Sequence, residues 1–443
     1  MKNFIYHPVA KKITGLLANK MAYKLAERYQ GRKISKSISE LDVFYNLPFS
    51  QQKRIQQSNL AEMIDFVNSE VPYYRDLFFS HQISKSKILR DINYINDFPY
   101  LTKNLIREHK HRLLSKPLND VKHFECKTGG STGPSCSIFY DQAAADYSSA
   151  VTKYARQTAG KSFYHSELHF ACKFHSSEQE KIWQKETLKC IVLNRSNIFF
   201  NQIDDDALQI IFDKLKIRKP YLVHGHPSTM YQLALFLEKK GISMKLFSRF
   251  EPSGEYCTEM MIKKIKSVFG CELNNRYGLA EFGVVAYQLD HKADRLRVFN
   301  SEVFCELAGD NEIVITGLRN RLMPLIRYKS GDLASTLIEE TGTFLESIVG
   351  RIHDTVVIGD RKLLTHYIQD VLDHKVGGIT FFQLIEQVDG IVFNIIEDDV
   401  EDRERIEQSI LEFFPDAIGV KFISWDQIVH HGRHQKYRHL VKL

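Results

Sequence analysis

Apolar positions along this 443-residue chain change their spacing twice. Up to about residue 115 they recur at helical intervals. The segment opened by Ser50-Gln51-Gln52-Lys53 places Ile55, Leu60, Met63, Ile64 and Val67 at an approximate 3.6-residue period, and it ends near Val71-Pro72-Tyr73-Tyr74. Asp97 to Lys103 reads as a short connection into another helix start. From about residue 121, short apolar runs alternate with helical stretches. Tyr221-Leu222-Val223-His224-Gly225 predicts a buried strand, Pro227-Ser228 a helix start and Gly241 its stop. Over residues 258–269, Met261, Ile262, Ile265, Val268 and Phe269 share a helical face opposite Lys263, Lys264 and Lys266, and Gly270 supplies the left-handed position that ends it. Strand and helix repeated this closely predict an α/β core. After Asp332 the pattern shifts again. Strands are predicted at Thr355–Ile358, Ile379–Glu386, Ile391–Ile396 and Val420–Ile423, with helices near Thr365–His374 and Val400–Phe414 between them. We therefore expect a large, multi-layer α/β domain over residues 1–349, with residues 1–115 a largely helical lead-in, and a small mobile α+β domain over 350–443, hinged near Gly350-Arg351.

Charge and cysteine content narrow the function classes. Sixty Lys+Arg against 54 Asp+Glu leave a formal net charge of +6. No element concentrates the basic residues, which argues against a nucleic-acid partner and leaves an anionic small ligand open. No apolar run approaches the roughly 20 residues needed to cross a bilayer. The stretch Met1 to Gly31 is broken by His7, Lys11, Lys12, Lys20 and Lys24, so it lacks the apolar centre of a signal peptide and reads as a surface helix, with an interfacial helix as its variant. Seven cysteines without a CxxC pair fit a reduced, cytoplasmic setting.

Three segments carry candidate chemistry. Thr128-Gly129-Gly130-Ser131-Thr132-Gly133 lets successive backbone N–H groups point into one concavity, with Ser131 and Thr132 adding hydroxyls, as a phosphate nest requires. It lacks the Gly-Lys-Ser/Thr ending of a P-loop, and a surface turn explains it equally well when it is taken alone. Asn274 to Glu281 offers Tyr277 as a flat ring for a purine and Glu281 as a carboxylate for Mg²⁺. Gly331-Asp332 places a carboxylate where it can accept both ribose hydroxyls, and a turn aspartate is the plain alternative. The cluster His165, His169, Cys172 and His175 offers zinc-type ligands, but its spacing matches no closed site.

Taken in order, these segments resemble the adenylate-forming ligase superfamily, in its phenylacetate–CoA ligase-like branch that includes proteins of capsular polysaccharide biosynthesis. Val71 to Arg75 and Pro99 to Lys103 match the branch's early landmarks. Thr128–Gly133 matches its phosphate loop, His226-Pro227-Ser228 its strand-to-helix turn and Ser253-Gly254-Glu255 its adenine-side segment. Asn275 to Glu281 matches Asn-x-Tyr-Gly-x-Thr-Glu, Met323 to Asp332 the ribose motif, and Gly350 to Asp354 the hinge motif. Three departures stand out. Ala280 replaces the usual Thr, Gly129 stands where Ser is common, and Gln435-Lys436-Tyr437-Arg438 keeps the catalytic-lysine pattern without its glycine. Gln288 and Arg297 occupy the places where some relatives carry Cys and His, which disfavours zinc there.

The resemblance implies ATP-dependent, AMP-forming activation of a carboxylic acid as an acyl-adenylate, with Mg²⁺. Transfer would follow to coenzyme A or to an amine on a sugar precursor, and a non-catalytic nucleotide binder is the alternative. It implies that Thr128–Gly133 hold the phosphates and Glu281 the metal. Ser253, Gly254, Glu255, Asn275, Tyr277 and Gly278 would frame the base, Asp332 and Arg351 the ribose, and Lys436 would serve adenylation.

Overall fold

The computed structural model describes the chain other than residues 1–7, 82–83, 128–135, 173–186, 201–203, 255–256, 258, 292, 294, 310, 347, 349–354, 425–426, 428, 432–435, 438 and 443. Helices fill the early chain: Pro8–Leu17, a π turn at Ala18–Ala22, Tyr23–Tyr29, Ile34–Asn46, Phe49–Glu70, Pro72–His81, Lys85–Arg90 and Lys103–Glu108. The last begins where the Thr102 side chain accepts the Leu105 amide at 3.3 Å. In Phe49–Glu70 the periodic set needs one correction. Ile55 is 38% exposed, and Gln52 and Gln56 are buried instead. Both glutamines have partners that remove the penalty of burial: Gln52 donates to the Leu47 carbonyl at 2.7 Å and Gln56 to that of Val303 at 2.8 Å.

A hairpin of β1 (His123–Lys127) and β2 (Ser137–Asp141) runs into the helix Gln142–Thr158, which Asp141 caps by accepting the Ala144 amide at 2.7 Å. Next come β3 (Glu167–Cys172), β4 (Arg195–Phe200), β5 (Leu222–Gly225), β6 (Arg249–Pro252) and β7 (Glu272–Leu273). They form an all-parallel sheet in the order β4-β3-β5-β6-β7. Leu168, Ile198, Val223 and Phe250 bury one face of it against helices Asp205–Arg218, Pro227–Lys239 and Glu259–Phe269. The last of these is the helix its lysine and apolar faces predict, and Gly270 ends it at φ +55°.

The strands β8 (Arg276–Leu279), β9 (Gly283–Tyr287) and β10 (Arg295–Val298) follow, then β11 (Val303–Leu307), β12 (Glu312–Gly317) and β13 (Tyr328–Leu333), then β14 (Thr336–Glu339) and β15 (Thr343–Glu346). They make two antiparallel sheets, β14-β15-β10-β9-β8 and β11-β12-β13. These strands share one hydrophobic core with the early helices, from Leu60 and Ile64 through Tyr74 to Ile315 and Tyr328.

The remainder has a core of its own, running from Val356 to Leu440. Here β16 (Thr355–Ile358) and β17 (Arg361–Leu364) form a hairpin. The strands β18 (Ile379–Gln387), β19 (Gly390–Glu397) and β20 (Gly419–Phe422) precede the small hairpin of β21 (His430–His431) and β22 (Lys436–Tyr437), and β23 (Leu440–Lys442) adds parallel to β18. Helices Thr365–Val371 and Arg403–Phe413 cover the sheet β20-β19-β18-β23. The four expected strands are present. The short ones, β17 and β21 to β23, were not expected, because runs of two to four residues carrying His, Lys and Arg show no period to read. The junction expected at Gly350-Arg351 lies outside the described residues.

Glu302 is a buried acid in the turn before β11, 6% exposed, with no hydrogen-bond partner at Oε2 among the described residues. Burial pushes its carboxyl up to about 8, against the pull of Arg319. Arg319 spends its hydrogen bonds on the Ser301 carbonyl at 2.8 Å and the Tyr147 hydroxyl at 3.2 Å. A folded value above the ordinary 4.5 means that the acid's contribution to stability is complete below 4.5 and lost as pH rises through about 8. We expect Glu302→Gln to be more stable relative to the parent at pH 9 than at pH 5, by a few kcal/mol at most. Denaturant midpoints of the two proteins at both pH values check this, and an unchanged difference would show that Glu302 ionises freely.

Candidate active site

The parallel sheet ends at Gly225 on β5 and Pro252 on β6, and the crevice beyond the carboxyl ends of such strands is where ligands bind in open α/β sheets. The chain leaves β6 through Ser253 and Gly254. The Ser253 amide donates to the Gly225 carbonyl at 3.0 Å. Gly254 sits at φ +85°, and a Cβ there would fall 2.8 Å from His226 Nε2, so both backbone angle and space demand glycine. Burial pushes the His226 imidazole down to about 3, and His224 adds to that, so it is neutral at pH 7. Glu255 lies outside the described residues.

Two hydrogen bonds join the segment 274–281 to the segment 327–332. The Tyr277 hydroxyl donates to Asp332 Oδ2 at 3.1 Å, and the Tyr328 hydroxyl to Glu281 Oε1 at 2.6 Å. Asp332 also donates its amide to Ser330 Oγ at 3.1 Å. All of Tyr277, Glu281, Tyr328 and Asp332 are buried. Burial and the neighbouring Asp332 carboxylate hold the Tyr277 phenol well above its usual range, so it is a permanent donor at neutral pH. Asn275 is fixed by Gln288, which accepts its amide at 2.9 Å and donates its own amide to the Asn275 carbonyl at 2.8 Å. Gly278 lies at a register shift between β8 and β9, where a Cβ would stand 2.8 Å from the Gly283 carbonyl oxygen.

The β1–β2 hairpin comes up beside this pair of segments. Tyr140 on β2 donates to the Ala280 carbonyl at 2.7 Å. Tyr140 pairs across the hairpin with Phe124, so β1 runs beside the same segment. Residues Thr128, Gly129, Gly130, Ser131, Thr132 and Gly133 themselves lie outside the described residues, but Lys127 and Ser137 on either side pair with each other. Lys127 also reaches the carbonyl of Asp373 at 3.1 Å, where the later part of the chain meets the base of the hairpin. Arg107, Lys110, Asp373, Gly377 and Gly378 line a cavity of about 230 Å³ at that seam. Arg351 lies outside the described residues, and Lys436 stands on β22 opposite His431 on β21.

The early landmarks brace the ribose motif. Tyr74 donates its hydroxyl to the Pro324 carbonyl at 3.0 Å and accepts the Ile326 amide at 3.0 Å. Arg327 turns away from Asp332. At φ 50° it sends its guanidinium to the carbonyls of Asn96 and Phe98, at 2.9 and 2.6 Å, and to Glu306 at 3.1 Å.

One constellation was not foreseen. Asn197, His169, His224 and Glu251 stand in register on the neighbouring strands β4, β3, β5 and β6. Arg156, from the helix Gln142–Thr158, meets Glu251 through two hydrogen bonds of 2.9 and 2.7 Å and Glu167 at 2.8 Å. Tyr287 donates to Glu251 at 2.6 Å, His224 Nδ1 lies 2.8 Å from it, and Arg276 of the tyrosine motif 3.3 Å away. Burial alone would push the Glu251 carboxyl up. Arg156 and His224 overcome it and hold the group well below its usual range. The His224 imidazole is pushed down to about 3, mainly by burial. A glutamate between Phe250 and Pro252, in a short strand, was the available signal. Of the zinc-type cluster, His165 stacks on Tyr221 with ring centres 3.8 Å apart, His169 hydrogen-bonds Glu167 at 3.0 Å, and His175 lies outside the described residues.

Comparison with known proteins adds three likenesses. No family model matches the chain. Over 327 residues it is 22% identical to protein CapK of Staphylococcus aureus, spanning 70% of each protein. Over 139 residues it is 24% identical to indoleacetate–lysine synthetase of Pseudomonas savastanoi, covering 31% of this chain and 35% of that enzyme. Among solved structures it is similar to 2-hydroxyisobutyryl-CoA ligase in complex with 2-HIB-AMP and CoA, with a TM-score of 0.56 at 14% identity over 89% of this chain and 90% of the ligase. The same ligase in its postadenylation state with R3-HIB-AMP gives 0.55 at 15% identity. No helix among the described residues is long and apolar enough to cross a membrane.

Proposed function

We propose that this chain, which has the two-part fold of the adenylate-forming ligases, activates a carboxylic acid with ATP and hands the acyl group to coenzyme A or to an amine. The observation that carries the reading is the pair of buried bonds Tyr277–Asp332 and Tyr328–Glu281, which hold the two motifs against each other beside the β1–β2 hairpin. The likeness to CapK and to an amide-forming synthetase supports the choice of acceptors, with a sugar-linked amine in surface polysaccharide assembly as one case.

Each residue then has a task set by its chemistry. Asp332, oriented by Tyr277, accepts the ribose hydroxyls, and Arg351 assists it. Ser253, Gly254 and Glu255 on one side and Asn275, Tyr277 and Gly278 on the other frame the base. The amides of residues 128–133 receive the phosphates. Glu281 fits Mg²⁺: it is a hard, buried carboxylate, and Tyr328 donates to one of its two oxygens. When bound, the cation supplies neutralisation of phosphate charge. Lys436 stabilises charge as the carboxylate oxygen attacks the α-phosphorus and pyrophosphate leaves.

A panel of carboxylic acids scored by pyrophosphate release tests the reading. We expect one acid class to yield AMP and pyrophosphate, and coenzyme A or an amine to release the adenylate. ADP and phosphate as the products overturn the proposal, and ATP binding without turnover on any acid favours the non-catalytic alternative. Asp332→Ala is expected to weaken ATP binding by about 1–3 kcal/mol, because two ribose hydroxyls lose their acceptor. Tyr277→Phe, which removes only the orienting hydroxyl, should cost less. Equilibrium nucleotide titration checks both, and unchanged affinity in Asp332→Ala moves the ribose elsewhere.

A further inference from the structure

The helical stretch from Pro8 to Tyr29 is built inside out. Its small residues and Tyr23 face the protein. Gly15 lies so close that a Cβ would fall 2.2 Å from the Tyr164 carbonyl oxygen, and Ala18 is buried behind it. Five large apolar residues nevertheless face away: Ile13, Leu17, Met21, Leu25 and Tyr29 are 52, 52, 58, 66 and 92% exposed. These five recur every four residues. On a 3.6-residue helix such a row drifts round the axis, but the π turn at Ala18–Ala22 underwinds the helix midway and offsets part of the drift. The result is an apolar ridge about 24 Å long. The neighbouring helix at 187–192, linked to Gly15 through Asn194, adds Leu188 and Ile191 at 63 and 61% exposure.

A basic row runs alongside. Lys20, Lys24 and Arg28 are exposed, each one position before an apolar ridge residue; Lys20 lies over the Phe163 ring at 4.9 Å, and no salt bridge joins any of the three to a carboxylate among the described residues. Glu27, the single acid between Pro8 and Tyr29, is turned away to the amide and hydroxyl of Ser35, at 2.6 and 2.5 Å.

We propose that this ridge seats the protein on an anionic lipid bilayer, with the helix lying in the interfacial plane. The charge pattern selects this occupant. A second copy docked ridge to ridge would bring two basic rows together, whereas an anionic surface neutralises them, each basic residue near it strengthening binding roughly fivefold. A large apolar face with a cationic border on a helix too polar to span is the form that lies in the headgroup region.

Sedimentation of the full chain with vesicles decides it. Binding is expected to phosphatidylcholine vesicles containing phosphatidylglycerol, weakening with salt, and not to phosphatidylcholine alone. Leu17→Ser/Met21→Ser/Leu25→Ser should reduce binding at least about tenfold with an unchanged thermal midpoint, since all three side chains are exposed. Lys20→Gln/Lys24→Gln/Arg28→Gln should remove the preference for anionic lipid. The proposal falls if the parent ignores both vesicles, or if the serine variant binds as the parent does. It also falls if the parent forms a concentration-dependent dimer that the serine variant lacks, which would give the ridge to a second copy.

Discussion

Lys436→Ala is expected to abolish pyrophosphate release while leaving acyl transfer from a pre-formed acyl-adenylate close to the parent rate. An ammonium beside both the carboxylate and the α-phosphate stabilises charge that develops only in the first half-reaction. Losing one preorganised charge of this kind lowers the rate on the order of a hundredfold or more. Lys436 stands on the short β21–β22 hairpin, in the part of the chain with its own core, so a rigid movement of that part would carry it to and from the site. Measuring the half-reactions separately distinguishes the roles. Equal loss in both assigns Lys436 to the fold or to a contact between the two parts. No loss in either shifts the task to another cation, and Lys442 is a poor substitute because it already pairs with Glu386 at 3.0 Å.

Glu251→Ala should destabilise the protein by about 3–5 kcal/mol, since it leaves Arg156 buried without one of its two counter-charges. Arg156 keeps Glu167, and its side chain is only 9% exposed, so water cannot replace the lost carboxylate. Removing an exposed partner gives the contrast. Glu259→Ala breaks a pair whose side chains are 80 and 87% exposed and should change stability by about 0.5 kcal/mol or less. The pH dependence has a definite sign. Glu251 is held well below its ordinary 4.5, so the parent's advantage is complete above that value and lost as pH falls toward the folded one. Denaturant midpoints of parent and variants across this range check both statements, and a Glu251→Ala loss no larger than that of Glu259→Ala would show that the cluster is stabilised elsewhere.

The architecture was legible where local rules decide it. The helix Glu259–Phe269 follows from its lysine and apolar faces, and β5 follows from an apolar run stopped by Gly225. The motifs could be placed because each combines glycine with a polar residue in a rare order. What could not be read depends on distant partners. Tyr277 reads locally as a flat ring, and nothing near it in the chain shows that its hydroxyl donates to Asp332, 55 positions on. Ile55 seemed to continue the buried row, but Gln56 lies inward because Val303 and Asn300, nearly 250 positions away, accept and donate to it. The Glu251 cluster was hidden for the same reason, since a polar residue in a strand reads locally as an interruption.

The braces on the ribose motif also bear on how the molecule assembles. Tyr74 bonds Pro324 and Ile326 across 250 and 252 positions, and Arg327 bonds Phe98 across 229. Closing a chain loop of that size costs about 5 kcal/mol of entropy, more than hydrogen bonds worth about 1 kcal/mol each recover. These bonds therefore lock an arrangement that the shared core must first bring together. During synthesis the early helices have to wait for β13, more than 220 residues later, with Leu60, Ile64 and Tyr74 lacking their final neighbours. High contact order of this kind makes folding slow, and the segment 323–332 cannot settle until these distant partners have come together.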